Sequence, residues 1–184
     1  MNSLPWALSP FQTRRFLPEA NLDAGDWSQL APFFDRLEAL APHCATANDL
    51  EEWLFNWSEL SSVVGEAYGQ RHISMTCRTD DVQARQAYID FVEQVLPQVE
   101  TRQFRLAGLF RNHRLRQTLP SLRYEVLDRA TAVAVELFRE ENVALETEEA
   151  KLGRNYDEIV GALSVQFRGE ERTLPAVWKF LDEH

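Results

Sequence analysis

The chain has 184 residues, of which 45% are hydrophobic and 26% charged, and its formal net charge is −10. A chain of this length buries roughly 70% of its unfolded surface, which is enough for one folded domain. The negative charge argues against nucleic acid or an anionic membrane surface as a partner, so we expect neither.

The cysteine content and the absence of targeting patterns indicate the compartment. Cys44 and Cys77 are too few for a disulfide framework, and we expect both to be reduced, with a single bridge as the alternative. No basic stretch followed by an apolar one opens the chain, and no window approaches the roughly 18 apolar residues of a membrane span. We therefore expect a soluble, cytoplasmic protein.

Residues 1–25 are predicted to form an extended N-terminal arm, because Pro, Asn and Gly interrupt any helical pattern there. Trp6, Phe11 and Phe16 would hold this arm against the body of the protein. Residues 26–184 are predicted to form a single domain. Its expected class is mainly α, an antiparallel helical array with one small β-hairpin near the C-terminus.

Two helices are predicted in the first part of the domain. The first runs from about residue 27 to 40, with Asp26 as its N-cap. The second starts near Asn48, which with Glu51 resembles a capping box, and continues through Met75. Its apolar stripe is the clearest in the sequence and consists of Leu50, Trp53, Leu54, Trp57, Leu60, Val64 and Tyr68.

A third helix is predicted to open at Asp80 and Asp81. Pro97 lies inside its pattern and should kink or break it, because proline lacks a backbone N–H and clashes with the preceding turn. The helix should resume toward Phe110 and loosen before Pro120. Its shared apolar face consists of Tyr88, Phe91, Val92, Val95 and Val99.

The fourth and fifth predicted helices cover about residues 122–141 and 148–163, and Thr147 is the expected N-cap of the fifth. The stripe of the fourth consists of Leu127, Ala130, Ala134, Leu137 and Phe138. The stripe of the fifth consists of Leu152, Tyr156, Ile159, Val160 and Leu163.

The apolar period then changes from about 3.6 to 2, which is typical of a strand. Gly169 and its charged neighbours mark a turn, so the sequence predicts a hairpin over about residues 163–174. Because an isolated hairpin is weak, we expect it to pack against other elements. A short last helix should follow Thr173, since Pro175 is tolerated in a first turn.

The sequence contains no motif for catalysis or metal binding. No two of His43, His72, His113 and His184 are four residues apart, and no His-Glu-x-x-His segment is present. There is neither a Gly-x-Ser-x-Gly elbow nor a glycine-rich phosphate loop. We therefore predict no catalytic residue, metal ligand or cofactor site in this chain.

One segment departs from the overall charge. Between Thr101 and Arg123 there is no acidic residue, but there are the six arginines Arg102, Arg105, Arg111, Arg114, Arg116 and Arg123. One interpretation is that the first five contact an acidic partner, a peptide carboxylate or RNA. The other is that the segment balances the acid-rich residues 136–149 within the protein.

Four stretches, in this order along the chain, resemble the N-terminal region of the oligoendopeptidase F branch of the thimet-oligopeptidase-like zinc metallopeptidases. They are residues 15–18 (Arg-Phe-Leu-Pro) followed by Asp26-Trp27, residues 49–54, residues 72–81, and residues 136–152 running on to 164–175. The last stretch is the most specific, and together they cover nearly the whole chain. None is a catalytic signature.

Members of that family are cytoplasmic, largely helical enzymes that cut short peptides inside a deep channel. Their zinc is held by a His-Glu-x-x-His helix and a downstream Glu, all in a later catalytic part. The resemblance implies that this chain is a non-catalytic N-terminal domain forming part of the channel wall, with zinc only in the catalytic part. Its implied partners are that catalytic domain or a second copy of itself, and in addition peptides.

Two other interpretations stay open. The chain could be a free-standing helical module that binds peptides or another protein and has no enzyme activity. It could also be a small hydrolase whose site no known motif reveals. Metal analysis and a peptidase assay on the purified protein would separate the second of these from the rest.

Overall fold

The computed structural model describes residues 16–18, 22–78 and 80–181. Most of these residues are helical, and a two-stranded antiparallel hairpin precedes the last helix. This confirms the predicted class, mainly α with one small β-hairpin near the C-terminus. The elements are α1 (Trp27–Leu40), α2 (Ala47–Cys77), α3 (Val82–Asp90), α4 (Leu96–Asn112), α5 (Ser121–Leu137), α6 (Glu140–Ala162), β1 (Ser164–Phe167), β2 (Glu170–Thr173) and α7 (Leu174–Trp178).

Helix α1 has the predicted bounds and the predicted cap. The backbone N–H of Ser28 donates to the Asp26 carboxylate over 2.9 Å, which satisfies one of the free amides of the first turn. The helix buries Leu30, Phe34 and Leu37 and then tightens into a single 3-10 turn.

Helix α2 begins at Ala47, and its N-cap lies two residues before the predicted one. Thr46, not Asn48, is the N-cap: its hydroxyl accepts from the Asp49 N–H over 3.2 Å, and the Asp49 carboxylate accepts from the Thr46 N–H over 2.8 Å. The expected pairing of Asn48 with Glu51 is therefore wrong. Asp49 also accepts from the Ala45 N–H, so a cap at Thr46 satisfies more backbone donors.

The predicted stripe of α2 does face the core. Its leucines and Trp53 are buried, Trp57 is half-buried, and the side chain of Tyr68 is exposed. The Trp53 indole N–H donates to the Leu37 carbonyl over 2.8 Å, which fixes α2 against α1 and satisfies a buried polar group. The helix passes Met75 as predicted and ends at Cys77.

Asp81 caps α3, where its carboxylate accepts from the Gln83 and Ala84 N–H groups. The interruption expected at Pro97 takes the form of a π-helical turn, Phe91–Val95, between α3 and α4. The wider turn ends before Pro97, which then occupies the first turn of α4, where a missing N–H breaks no helical bond. The five residues predicted to share a face here are all buried.

The boundary between α5 and α6 differs from the prediction. Helix α5 ends at Leu137, not Glu141, and α6 starts at Glu140, not Glu148. Phe138 leaves the helix and its ring stacks on Phe104 of α4, with 4.2 Å between centroids. Thr147 is consequently inside α6, where its hydroxyl donates to the Val143 carbonyl, and it caps nothing.

The hairpin is confirmed. Strands β1 and β2 pair with Ser164 opposite Thr173, and Arg168 and Gly169 form the turn with φ of 53° and 81°. Two successive residues with positive φ are typical of a type I′ turn, which favours glycine. The hairpin packs on α7 and the turn after it, and Phe167 lies 5.1 Å from Phe180.

The core lies between α1, α2, the π-helical turn and α4. Its largest fully buried side chains are aromatic, Phe34, Phe91 and Phe110. Phe16, in the predicted arm, is buried against it, and the Phe16 N–H donates to the Glu59 carboxylate over 2.9 Å. Trp6 and Phe11 lie outside the described residues.

Candidate functional site

The histidines and cysteines do not converge. In the described part of the chain, no three His, Cys, Asp or Glu side chains are grouped so that they could hold a metal ion. His72 stacks on Tyr68, and His113 Nδ1 accepts from the Leu115 N–H. His184 is outside the described residues.

Both cysteines are free thiols, and they differ in setting. Cys44 is buried, with its sulfur near the carbonyl oxygens of Leu40 and Asp49. Burial, reinforced by the charge of Asp49, raises the pKa of this thiol and keeps it protonated and unreactive. Cys77 is exposed at the end of α2.

Arg102, the first of the five candidate arginines, is used inside the protein. It projects from α4 toward α1, where its guanidinium contacts Asp35 and donates to Glu38 Oε1 over 2.6 Å. Two carboxylates on one half-buried guanidinium fix the crossing of the two helices.

Arg111 and Arg116 share a single carboxylate on α5. Arg111 Nη1 lies 2.9 Å from Asp128 Oδ1, and the Arg116 guanidinium contacts the same oxygen. Their hydrogen bonds, that of Arg116 first, lower the pKa of Asp128. Asp128 therefore stays ionised and joins α5 to the end of α4 and the loop after it.

Arg123 also has an internal partner. It pairs with Glu51 of α2 over 2.9 Å, and its guanidinium lies over the rings of Phe55 and Tyr124. The Tyr124 hydroxyl donates to the same carboxylate. This group joins α5 to the start of α2, so it belongs to the packing of the helices.

Arg105 and Arg114 are different, because both are exposed and neither forms an ion pair within residues 16–18, 22–78 and 80–181. They line one open groove of about 780 Å³ between the end of α1 and the end of α4. The groove also contains Pro42, Leu109 and His113. Two guanidinium groups beside an apolar floor suit a ligand with a carboxylate.

The five candidates thus separate into two groups. Arg102, Arg111 and Arg116 hold helices together, and Arg105 and Arg114 share a groove. The interpretation of internal charge balance applies to the first group, although the acids are not in residues 136–149 as expected: they come from α1 and α5. The pairing could not be deduced from sequence, because it depends on how the helices cross.

Sequence reasoning missed a second cavity, of about 370 Å³, between α2, α4, α5 and α6. Its walls include Trp57, the stacked rings of Phe104 and Phe138, and alanines of α4 and α5. Glu100 and Glu146 meet at this cavity. Burial, with the adjacent Glu146 carboxyl, raises the pKa of Glu100 to about 7. Nothing in the sequence marks this pair, because its members come from helices far apart in the chain.

A third feature is the amount of apolar surface on the second half of the chain. On α5, Leu122, Val126 and Leu137 are exposed. Of the predicted stripe of the fifth helix, Leu152, Tyr156 and Ile159 are exposed on one side of α6, Val160 is half-buried, and Leu163 follows the end of the helix. The predicted stripe of the fourth helix is also largely uncovered, because Ala130, Ala134 and Leu137 are exposed.

No protein-family model matches the chain, and no curated protein or solved structure matches it either. Among the described helices, none is both long enough and apolar enough to cross a membrane.

Proposed function

We propose that this chain is a non-catalytic helical domain of an oligoendopeptidase F-like zinc metallopeptidase, in which it forms part of the wall of the substrate channel. The full enzymes of that family hydrolyse short peptides. In this proposal the chain borders the channel and excludes large substrates, and it works in the cytoplasm. The zinc and its general base belong to a separate catalytic part.

The observation that carries the proposal is the uncovered apolar surface of the second half of the chain. Exposed leucine and valine side chains recur at helical spacing along α5 and along α6. Soluble proteins rarely leave contiguous apolar surface of this kind uncovered unless another protein part packs on it. A catalytic part of the same peptidase is the partner that the sequence resemblance suggests.

The lack of a His-Glu-x-x-His segment in the 184 residues favours a structural role over a catalytic one. The most specific resembling stretches, residues 136–152 and 164–175, fall on the end of α5, on α6 and on the hairpin. They therefore lie in the same half of the chain as the uncovered apolar surface.

The test is reconstitution. The purified chain is mixed with the separately expressed catalytic part of an oligoendopeptidase F-type enzyme, and the mixture is examined by size-exclusion chromatography and by cleavage of an internally quenched peptide. We expect a complex, and chelator-sensitive cleavage faster than that of the catalytic part alone. A chain that is folded but forms no complex contradicts the proposal, as does zinc-dependent cleavage by the chain alone.

A matched pair of variants localises the contact. Leu122→Glu with Val126→Glu places two charges on the exposed side of α5 and should weaken the complex. Ser62→Glu, at an exposed position of α2 on the other half of the chain, should leave it intact. Equal complex formation by both variants would remove α5 from the contact.

A second candidate function rests on the groove at Arg105 and Arg114: a free-standing helical module that binds peptides or another protein without enzyme activity. Titration with an acidic peptide ending in a free carboxylate tests it. Arg105→Ala with Arg114→Ala should abolish binding, and Arg129→Ala, on the exposed side of α5, should not. Binding that is unchanged in the double variant rules out the groove.

A further inference from the structure

Helix α6 turns its apolar side chains outward. Leu145, Leu152, Tyr156 and Ile159 are spaced seven, four and three residues apart, which places them on one face of a helix. Each is about two-thirds exposed, at 66%, 68%, 67% and 65%. We call this line of four residues the outer face of α6.

The opposite side of α6, which faces the bundle, carries ion pairs and a small apolar contact, in which Ala150 packs against Met75, Tyr88 and Val92. Lys151 lies 2.9 Å from Glu93 of the π-helical turn, and Glu158 lies 3.0 Å from both Arg85 of α3 and Arg154 of its own helix. A surface helix normally buries its large apolar side chains, whereas the four largest apolar side chains of α6 are exposed. Its amphipathic pattern is directed at something outside this bundle.

The charge beside the outer face narrows the choice of partner. Acidic residues lie along both borders of the apolar line, and both cations of α6, Lys151 and Arg154, are on the inner side. A second copy of α6 brings no basic residue to its outer face that could pair with these acids, which disfavours self-pairing relative to a basic partner. The bordering acids are Glu141, Glu148 and Glu149, of which Glu148 also pairs with Lys151.

We propose that the outer face of α6 binds an amphipathic helix of another chain segment, with apolar residues on one side bordered by Lys or Arg. The four anchors extend over about 21 Å along the helix axis, which suits packing along a helix of at least four turns. Basic residues at the borders of the partner would pair with the carboxylates of α6. The inference rests on the proposed function only in assuming that another protein part packs on α6. It also holds if that part does not belong to a peptidase.

The experiment uses two synthetic peptides of 18 residues with the same leucine stripe, one bordered by lysines and the other by glutamates. Binding to the full chain is followed by fluorescence anisotropy of a label on the peptide. We expect the lysine peptide to bind at least tenfold more tightly than the glutamate peptide. Leu152→Gln with Ile159→Gln should reduce its affinity at least tenfold, and circular dichroism verifies that this variant is folded.

Charge reversal on the outer face needs a matched control, because a chain of net charge −10 attracts any basic peptide. Glu141→Lys with Glu149→Lys should weaken binding of the lysine peptide and strengthen binding of the glutamate peptide. Glu52→Lys with Glu66→Lys makes the same change in net charge at exposed positions of α2 and should have little effect. Equal losses in the two variants would reduce the interaction to general charge attraction and overturn the proposal.

Three further outcomes decide between partners. If the chain dimerises in sedimentation equilibrium and Leu152→Gln with Ile159→Gln makes it monomeric, a second copy covers α6 and the proposal is wrong. If the lysine peptide binds at α6 but no complex forms with the peptidase catalytic part, the inference stands and the proposed function fails. If the chain forms a complex with the catalytic part, and the two α6 variants change neither that complex nor the binding of the lysine peptide, the proposed function stands and the inference fails.

Discussion

Both halves of this chain carry apolar residues at helical spacing, but only the first half buries most of them. Leu30, Phe34, Leu37, Leu50 and Leu60 of α1 and α2 have no exposed surface, whereas Leu122, Leu145 and Leu152 of α5 and α6 are mostly exposed. Beyond Leu119, Thr131 is the one buried residue among those that the structure describes. A helical period thus specifies a helix and its apolar side, but not whether this chain supplies the surface that covers it.

Helix α4 joins the two halves. It packs against α1 on one side and against α5 and α6 on the other. The contacts with the second half include an aromatic stack of Phe104 on Phe138, a carboxyl pair of Glu100 and Glu146, and the ion pair of Arg111 with Asp128. Most of these contacts are polar or partly exposed, so we expect the second half to be held less firmly than the first.

The largest expected effect is the difference in the free energy of unfolding between a variant of a buried leucine and a variant of an exposed one. Leu60→Ala empties a fully buried site and should lower the free energy of unfolding by about 2–5 kcal/mol. Leu152→Ala removes the same atoms from the outer face of α6 and should change it by about 0.5 kcal/mol or less. Urea unfolding of both variants measures the difference. A loss at Leu152 as large as at Leu60 would mean that α6 is covered in solution.

The next largest expected effect is a dependence of stability on pH, which arises where α4 meets the second half of the chain. The pKa of Glu100, raised by burial and by Glu146 from 4.5 to about 7, means that the folded protein binds this proton more tightly than the unfolded chain does. The resulting stabilisation is fully present below about pH 4.5 and is lost as pH rises toward 7. After allowance for partial exposure, we expect a loss of about 1–2 kcal/mol across this window.

Glu100→Gln removes the titration, so unfolding free energies at pH 5 and pH 8 should differ less in the variant than in the parent chain. Glu125→Gln changes an exposed glutamate of α5 in the same way and should keep the parental difference. The capping carboxylates Asp26, Asp49 and Asp81 have lowered pKa values, so their contributions are lost only at more acidic pH. Parallel pH profiles for parent and Glu100→Gln would show that folding does not raise the pKa of Glu100.

Signals within a few residues of a helix end or a turn were sufficient to predict it where neighbouring residues determine its position. Asp26 predicted the start of α1, and Gly169 with its neighbours predicted the hairpin turn. These signals gave the wrong helix end where a residue far away in the sequence determines it. The end of α5 depends on Phe138 reaching Phe104 of α4, which no window around residue 138 contains.

The candidate site shows the same limit. The deficit of acids between residues 101 and 123 is visible in sequence and led to the five candidate arginines. Which of them are already paired depends on Asp35, Glu38 and Asp128, two of which lie more than 60 residues from the arginine they bind. Sequence therefore located the positive segment but could not identify Arg105 and Arg114 as the pair that shares a groove.

The smallest expected effect compares two candidate caps of α2 within the well-packed half. Thr46→Ala removes the hydroxyl that accepts from the Asp49 N–H and should lower the free energy of unfolding by about 1 kcal/mol. Asn48→Ala, the cap that the sequence favoured, changes an exposed residue of the first turn and should alter stability by about 0.5 kcal/mol or less. Chemical unfolding of the two variants under identical conditions resolves the difference. A larger loss at Asn48 than at Thr46 would move the start of α2 to the position that sequence alone predicts, and Leu50 would then lie in its first turn.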